Sequence, residues 1–144
     1  MEPLRWPVDW AHLTRWQRLM MDLPILGLRA RVFKKIVAQL ARRAPNASDL
    51  WSRFSPDELA IKQRIVEIAV KELEWPRGYF LPSDPFEIVI WDPTGDLATE
   101  AALDRMENEL GLRRRSGDEW RQLASQTFGD VVQKIAHECA QSKK

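Results

Sequence analysis

Thr94-Gly95-Asp96-Leu97-Ala98-Thr99-Glu100-Ala101-Ala102-Leu103-Asp104-Arg105-Met106-Glu107-Asn108-Glu109-Leu110-Gly111-Leu112 reads as one acidic, amphipathic helix closed by a glycine. Leu103, Met106 and Leu110 recur at i, i+3 and i+7, the spacing of an apolar stripe turned toward a core. Asp96, Glu100, Asp104 and Glu107 fall at i, i+4, i+8 and i+11, so four carboxylates line another strip of the same helix. Asp96 stands where an N-cap belongs, and acids in the first turn suit the positive end of the helix dipole. Gly111 suits a left-handed terminator. By spacing alone, such a strip is a solvated face. The segments on either side of the helix bring in a second reading.

Upstream, Ser55-Pro56-Asp57-Glu58 is a strong helix start: Ser55 caps, Pro56 fills the first helical position and Glu58 completes a capping box. The helix is expected to run to about Glu74, with Ile61, Ile65, Ile68, Ala69 and Leu73 inward. Between it and the acidic helix lies a long connection, Trp75 to Gly95, whose Pro76, Pro82, Pro85 and Pro93 exclude regular helix over most of its length. Within that connection, Phe86 to Trp91 fits a short helix or a strand equally well. Phe80, Phe86 and Trp91 are expected to anchor the loop in the core. Downstream, Arg113-Arg114-Arg115 reads as a solvated basic turn, and Asp118 to Gln126 as a short helix with Trp120 and Leu123 inward. Thr127-Phe128-Gly129-Asp130 opens a last helix, capped by Thr127, with Val131, Val132, Ile135 and Cys139 inward and a frayed Ser142-Lys143-Lys144 end.

The N-terminal part predicts a helical pair. Residues 9–22 read as a first helix, and Trp6, Trp10, Leu13, Trp16 and Met20 make an aromatic-rich stripe whose tryptophans are read as packing anchors. After a turn at Leu23-Pro24-Ile25-Leu26-Gly27, a second helix is expected from Leu28 to Ala44. Val32, Phe33, Ile36, Val37 and Leu40 form its buried face, opposite Arg31, Lys35 and Arg42. Pro45-Asn46-Ala47-Ser48 breaks the chain, and Asp49 to Phe54 reads as a helical turn. The expected organisation is a basic N-terminal helical extension (1–48) packed on a helical bundle (49–144).

With 44% hydrophobic and 30% charged residues in a chain of 144, one modest globular core is expected. The single cysteine, Cys139, excludes an intramolecular disulfide and fits a reducing compartment. No signal-peptide pattern opens the chain, and the longest apolar stretch near it, Leu19 to Leu28, is too short to span a bilayer, so the cytoplasm is the expected location. The near-neutral net charge of +1 hides an asymmetry. Residues 1–48 hold nine Lys/Arg against three Asp/Glu, and residues 49–144 hold thirteen against eighteen. A positive segment and an acidic one suggest docking within a chain, between chains of a homo-oligomer, or onto separate partners.

No catalytic motif is present. Neither a glycine-rich phosphate loop nor a distinct acid–base pair occurs. His137 and Cys139, two apart, point to different faces of a helix and make a poor metal pair. The basic helix lacks interleaved stacking aromatics, which speaks against nucleic acid, and aligns too few cations for a membrane surface. The expectation is a protein that is not an enzyme, with no catalytic, cofactor-binding or metal site.

The order of the C-terminal segments resembles an acyl carrier protein: first helix, long loop, acidic second helix, short third segment, final helix. Met106 to Leu112 resembles the end of that family's second helix. Thr127-Phe128-Gly129-Asp130-Val131-Val132 is close to the threonine-valine-glycine-aspartate-valine-valine start of its final helix. The likeness covers roughly residues 55–140. It implies an all-α, acyl-carrier-like four-helix bundle carrying the additional N-terminal helical pair, and resembles bacterial acyl-carrier-like families with a proline-bearing loop. Carriers attach phosphopantetheine to a serine in an aspartate-serine-leucine triplet at the start of the second helix. Here the triplet is Gly95-Asp96-Leu97, and a carboxylate at position 96 cannot form the phosphodiester. The implied function is a non-catalytic interaction module that binds a protein partner's basic patch through Asp96, Glu100, Asp104 and Glu107. The alternative is a carrier modified at a non-standard residue such as Ser83.

Overall fold

A computed structural model describes residues 2–21, 27–43, 49–76, 78–95 and 97–142. These residues are mostly helical, with no strand among them. Seven helices follow in order: α1 Arg15–Met20, α2 Leu28–Ala41, α3 Pro56–Leu73, α4 Phe86–Val89, α5 Leu97–Leu110, α6 Gly117–Ala124 and α7 Phe128–Ser142. The all-α expectation therefore holds.

Several helices begin where their side chains dictate. Ser55 and Glu58 form a reciprocal capping box on α3, and Ser116 and Glu119 do the same on α6. Thr127 Oγ1 accepts from the Asp130 N–H at 3.3 Å at the head of α7. Glu74 closes α3 in the left-handed conformation (φ 59°), and the next side chain, Trp75, is buried and donates its indole N–H to the Val89 carbonyl at 3.1 Å. Gly111 (φ 66°) ends α5. The Leu112 N–H then reaches back to the Glu107 carbonyl at 2.8 Å, the six-to-one bond of a Schellman motif.

The N-terminal expectation needs correction. Residues 9–22 do not form one helix: Trp10–His12 is a single 3₁₀ turn capped by Asp9, and α1 starts afresh behind Thr14. The cause is local, because the Thr14 hydroxyl and the Gln17 side chain make a capping box there. The second helix ends at Ala41 rather than Ala44. Ala44, the Leu23–Leu26 part of the first turn, the Pro45–Ser48 break and Lys143-Lys144 lie outside the described residues. Of the expected anchors, Trp6 packs edge-on against both Trp10 and Trp91 and Trp10 lies tilted against Trp91, whereas Trp16 stands 69% exposed.

α3 lies at the centre, packed against α5 and α7. Val32, Ile36 and Leu40 of α2 enter the same buried cluster as Ile65, Met106 and Phe128, and Phe33 stacks on Trp75 with ring centroids 4.9 Å apart. The proline-bearing connection resolves into the short helix α4, with Phe80, Phe86, Ile88 and Val89 buried and Trp91 half-buried. It is stitched to the start of α7 by three backbone bonds: Phe86 N–H to the Gln126 carbonyl, Phe128 N–H to the Asp84 carbonyl and Gly129 N–H to the Pro82 carbonyl. Close approach explains the glycine at 129. A Cβ there would stand 3.0 Å from both Phe54 Cζ and Pro82 Cβ and 3.1 Å from the Pro82 carbonyl oxygen.

One buried ion pair ties these parts together. The Asp84 side chain is fully buried, and the Arg43 guanidinium forks onto both its oxygens at 2.7 Å. The remaining lone pairs accept from the Leu4 and Leu81 N–H groups, each at 2.7 Å. Arg43 also donates to the Tyr79 carbonyl at 2.7 Å and the Glu2 carbonyl at 3.0 Å. Bidentate pairing with every lone pair used is the condition under which buried charges are tolerated. The N-terminal segment, the end of α2 and the long connection thus meet at a single carboxylate.

Candidate functional site

The head of α5 is organised by Asp92, which is buried. Its Oδ1 accepts from the Thr94 N–H (2.9 Å) and hydroxyl (2.7 Å), and its Oδ2 accepts from the Ala98 N–H at 3.3 Å. Thr99 donates its hydroxyl to the Ile90 carbonyl at 2.7 Å. The first turn of α5 is therefore held by residues of the preceding loop. Asp96, expected as N-cap and as a member of the acidic strip, lies outside the described residues.

The remaining acids of α5 divide by what they meet. Glu109 accepts from Arg64 of α3 at 2.9 Å and also faces Arg105, which bonds Glu72 at 2.7 Å, so it braces α5 against α3. Glu107, expected on the outward strip, is turned inward and 6% exposed. Its Oε1 accepts the Trp120 indole N–H at 2.8 Å and the Arg115 backbone N–H at 3.5 Å. The physical reason is its position: Glu107 is four residues after Leu103 and three before Leu110, on the edge of the apolar stripe, where only a hydrogen-bonded acid is accommodated. It is a structural acid. Glu100 and Asp104 are exposed, and neither has an ion-pair partner among the described residues.

These two acids rim a groove between α5 and α6 of about 390 Å³. Ile90, Leu103, Trp120 and Ala124 give it an apolar lining. Arg115 closes one side. The expectation of a solvated arginine turn holds for the exposed Arg113 and Arg114 and fails at Arg115, whose side chain is only 7% exposed. Its guanidinium pairs with Glu138 of α7 and lies 5.3 Å from the Trp120 ring centroid. Arg121, at the rim, pairs with Asp118 at 3.1 Å. Just outside, Arg113 donates to Glu119, and that hydrogen bond, reinforced by the Ser116 N–H, holds the Glu119 carboxyl below its usual range.

The other candidates disperse. Ser83 is exposed in the turn before Asp84, beside Arg53 in a separate cleft, while Asp84 itself is wholly committed to Arg43. His137 is exposed and Cys139 half-buried, with its sulfur 3.4 Å from the Leu110 carbonyl oxygen. No three His, Cys, Asp or Glu side chains converge among the described residues, and no described helix is long and apolar enough to cross a membrane. No ion pair joins Arg31, Lys35 or Arg42 of the basic face to Glu100 or Asp104 among the described residues.

Comparison of the chain with family models, curated proteins and solved structures finds no match.

Sequence reasoning missed Arg43, Asp84, Asp92 and Arg115. One signal was present. Val32, Ile36, Leu40 and Arg43 continue a single buried strip at i, i+4, i+8 and i+11, so the cation sits where the core stripe demands an apolar residue or a paired charge.

Proposed function

We propose that this chain is a non-catalytic, acyl-carrier-like interaction module whose α5–α6 groove binds a protein partner with a basic patch. One observation carries the reading. Among the described acids of α5, Glu107 and Glu109 are consumed by internal partners, whereas Glu100 and Asp104 stand outward and uncompensated on the rim of an apolar groove. An apolar floor edged by charge is the composition of an interface core with its polar rim. The order of α3, long connection, α5, α6 and α7 is compatible with carrier ancestry, and the aspartate at position 96 argues against phosphopantetheine attachment there.

The test is capture of partners by the immobilised full chain at low and high salt, alongside a Glu100→Lys/Asp104→Lys double variant. Charge complementarity acts mainly on encounter and specificity, so partners should be lost both with salt and with the double variant. A set of captured proteins unchanged by the reversal defeats the reading. The same preparation, incubated with coenzyme A and a broad phosphopantetheinyl transferase, should keep its intact mass. A mass gain abolished by Ser83→Ala would establish the carrier alternative instead.

A further inference from the structure

We propose that the occupant of the α5–α6 groove is a second copy of this chain, which enters with its α1 helix, and that the exchange is reciprocal. The inference rests on the groove reading above, since both require Glu100 and Asp104 as outward acids.

α1 is the unusual element. Trp16 is 69% exposed and Leu19 67% exposed, two of the few large apolar side chains that the fold leaves in water. They are three residues apart on one helix and share a side. Arg15 and Arg18 flank them, both exposed and both without an ion-pair partner among the described residues. The groove presents the complement: Leu103, Trp120 and Ala124 for the apolar pair, and Glu100 and Asp104 for the arginines. Its two cations are already paired, Arg121 with Asp118 and Arg115 with Glu138. An apolar knob edged by cations and an apolar groove edged by acids answer one another in both shape class and sign.

The charge distribution points the same way. Residues 1–48 carry nine cations against three acids and the remainder thirteen against eighteen; the Arg43–Asp84 pair offsets one of these charges within the chain, and among the described residues no ion pair joins the α2 cations to the acidic rim. Two copies exchanging α1 cancel part of it twice. Reciprocal exchange closes a two-fold dimer, while a one-way contact would grow open chains. Each contact is made by two apolar side chains of a six-residue helix, small beside the roughly 800 Å² per partner of a standard interface. The dimer is accordingly weak, with a dissociation constant on the order of micromolar, and loosens as salt rises.

Sedimentation equilibrium of the full chain across a micromolar concentration series tests this. The expected mass rises toward two chains and falls back toward one at high salt. Trp16→Ser/Leu19→Ser removes the knob and Glu100→Lys/Asp104→Lys removes the rim. Each double variant alone should stay monomeric, with far-UV circular dichroism confirming its fold. Mixed together they keep one of the two contacts, so the mixture should associate no more tightly than a much weakened dimer, below the native chain at every concentration. A native chain that is monomeric throughout, a dimer that survives either double variant, or a mixture that associates as tightly as the native chain overturns the proposal. Should the chain prove monomeric while partner capture still depends on Glu100 and Asp104, self-association falls and the groove reading stands.

Discussion

At the Arg43–Asp84 junction both carboxylate oxygens and both terminal guanidinium nitrogens meet partners inside the protein, whereas at the mouth of the α5–α6 groove Glu100 and Asp104 are exposed with no ion-pair partner among the described residues. Both regions are acidic side chains beside apolar surface, but they serve different ends. The junction excludes water and uses its charge to hold three distant segments in register, so its charge is invisible from outside. The groove leaves its charge unspent, where it can be read by another molecule. Glu107 links the two regimes: it lines the groove yet behaves like Asp84, committed to Trp120 and the Arg115 backbone. The acidity of α5 in sequence therefore overstates the charge it displays.

The comparison breaks first if the junction can be opened cheaply. Arg43→Ala leaves the Asp84 carboxylate buried without its counter-charge, a change that costs about 3–5 kcal/mol. At roughly 2–4 °C per kcal/mol for a domain of this size, the melting midpoint followed by far-UV circular dichroism should fall by about 10 °C. The double variant Arg43→Met/Asp84→Leu removes both charges and should melt above Arg43→Ala, because it strands neither. An Arg43→Ala protein that melts like the native chain would remove the junction from any role in stability.

A smaller effect sharpens the contrast within α5 itself. Glu107→Ala deprives the Trp120 indole N–H of its acceptor in a buried site and should cost about 1–3 kcal/mol in urea unfolding. Glu100→Lys, by the same measurement, should stay within about 0.5 kcal/mol of the native chain. Equal costs for the two would mean that the acids of α5 do not divide as the structure divides them.

The smallest effect concerns pH. Glu119 is held below the usual carboxylate range, chiefly by the Arg113 hydrogen bond and then by the Ser116 N–H. With its folded value below its unfolded one, the unfolded chain binds the extra proton in acid. The contribution is thus present above the unfolded carboxylate range and lost as pH falls through the folded one. The group is exposed, so the slope is slight. Glu119→Gln should flatten the acid limb of a stability–pH curve relative to the native chain, and an unchanged limb would detach this pair from folding.

Much of the helical layout was legible because helix starts are local. Ser55 with Glu58, and Thr127 with the Asp130 N–H, act within three residues, so the beginnings of α3 and α7 stand in the sequence as they stand in the fold. The periodic stripes of α3 and α7, with Ile65, Ile68, Val132 and Ile135 buried, were legible for the same reason, as was the glycine stop at 111. The break at Thr14 was equally local, and was obscured by the aromatic stripe of residues 9–22 running across the Thr14–Gln17 capping box. What tertiary structure alone decided is which charges are hidden. Arg43 and Asp84 are 41 residues apart, Leu4 and Asp84 80, and Glu107 and Trp120 13. A charged side chain can enter a core only if a distant donor or acceptor arrives to meet it, and periodicity along one helix carries no information about that arrival. The acidic strip of α5 was written in the chain, but the outward acids Glu100 and Asp104 were separated from the inward Glu107 only when α6 brought Trp120 alongside.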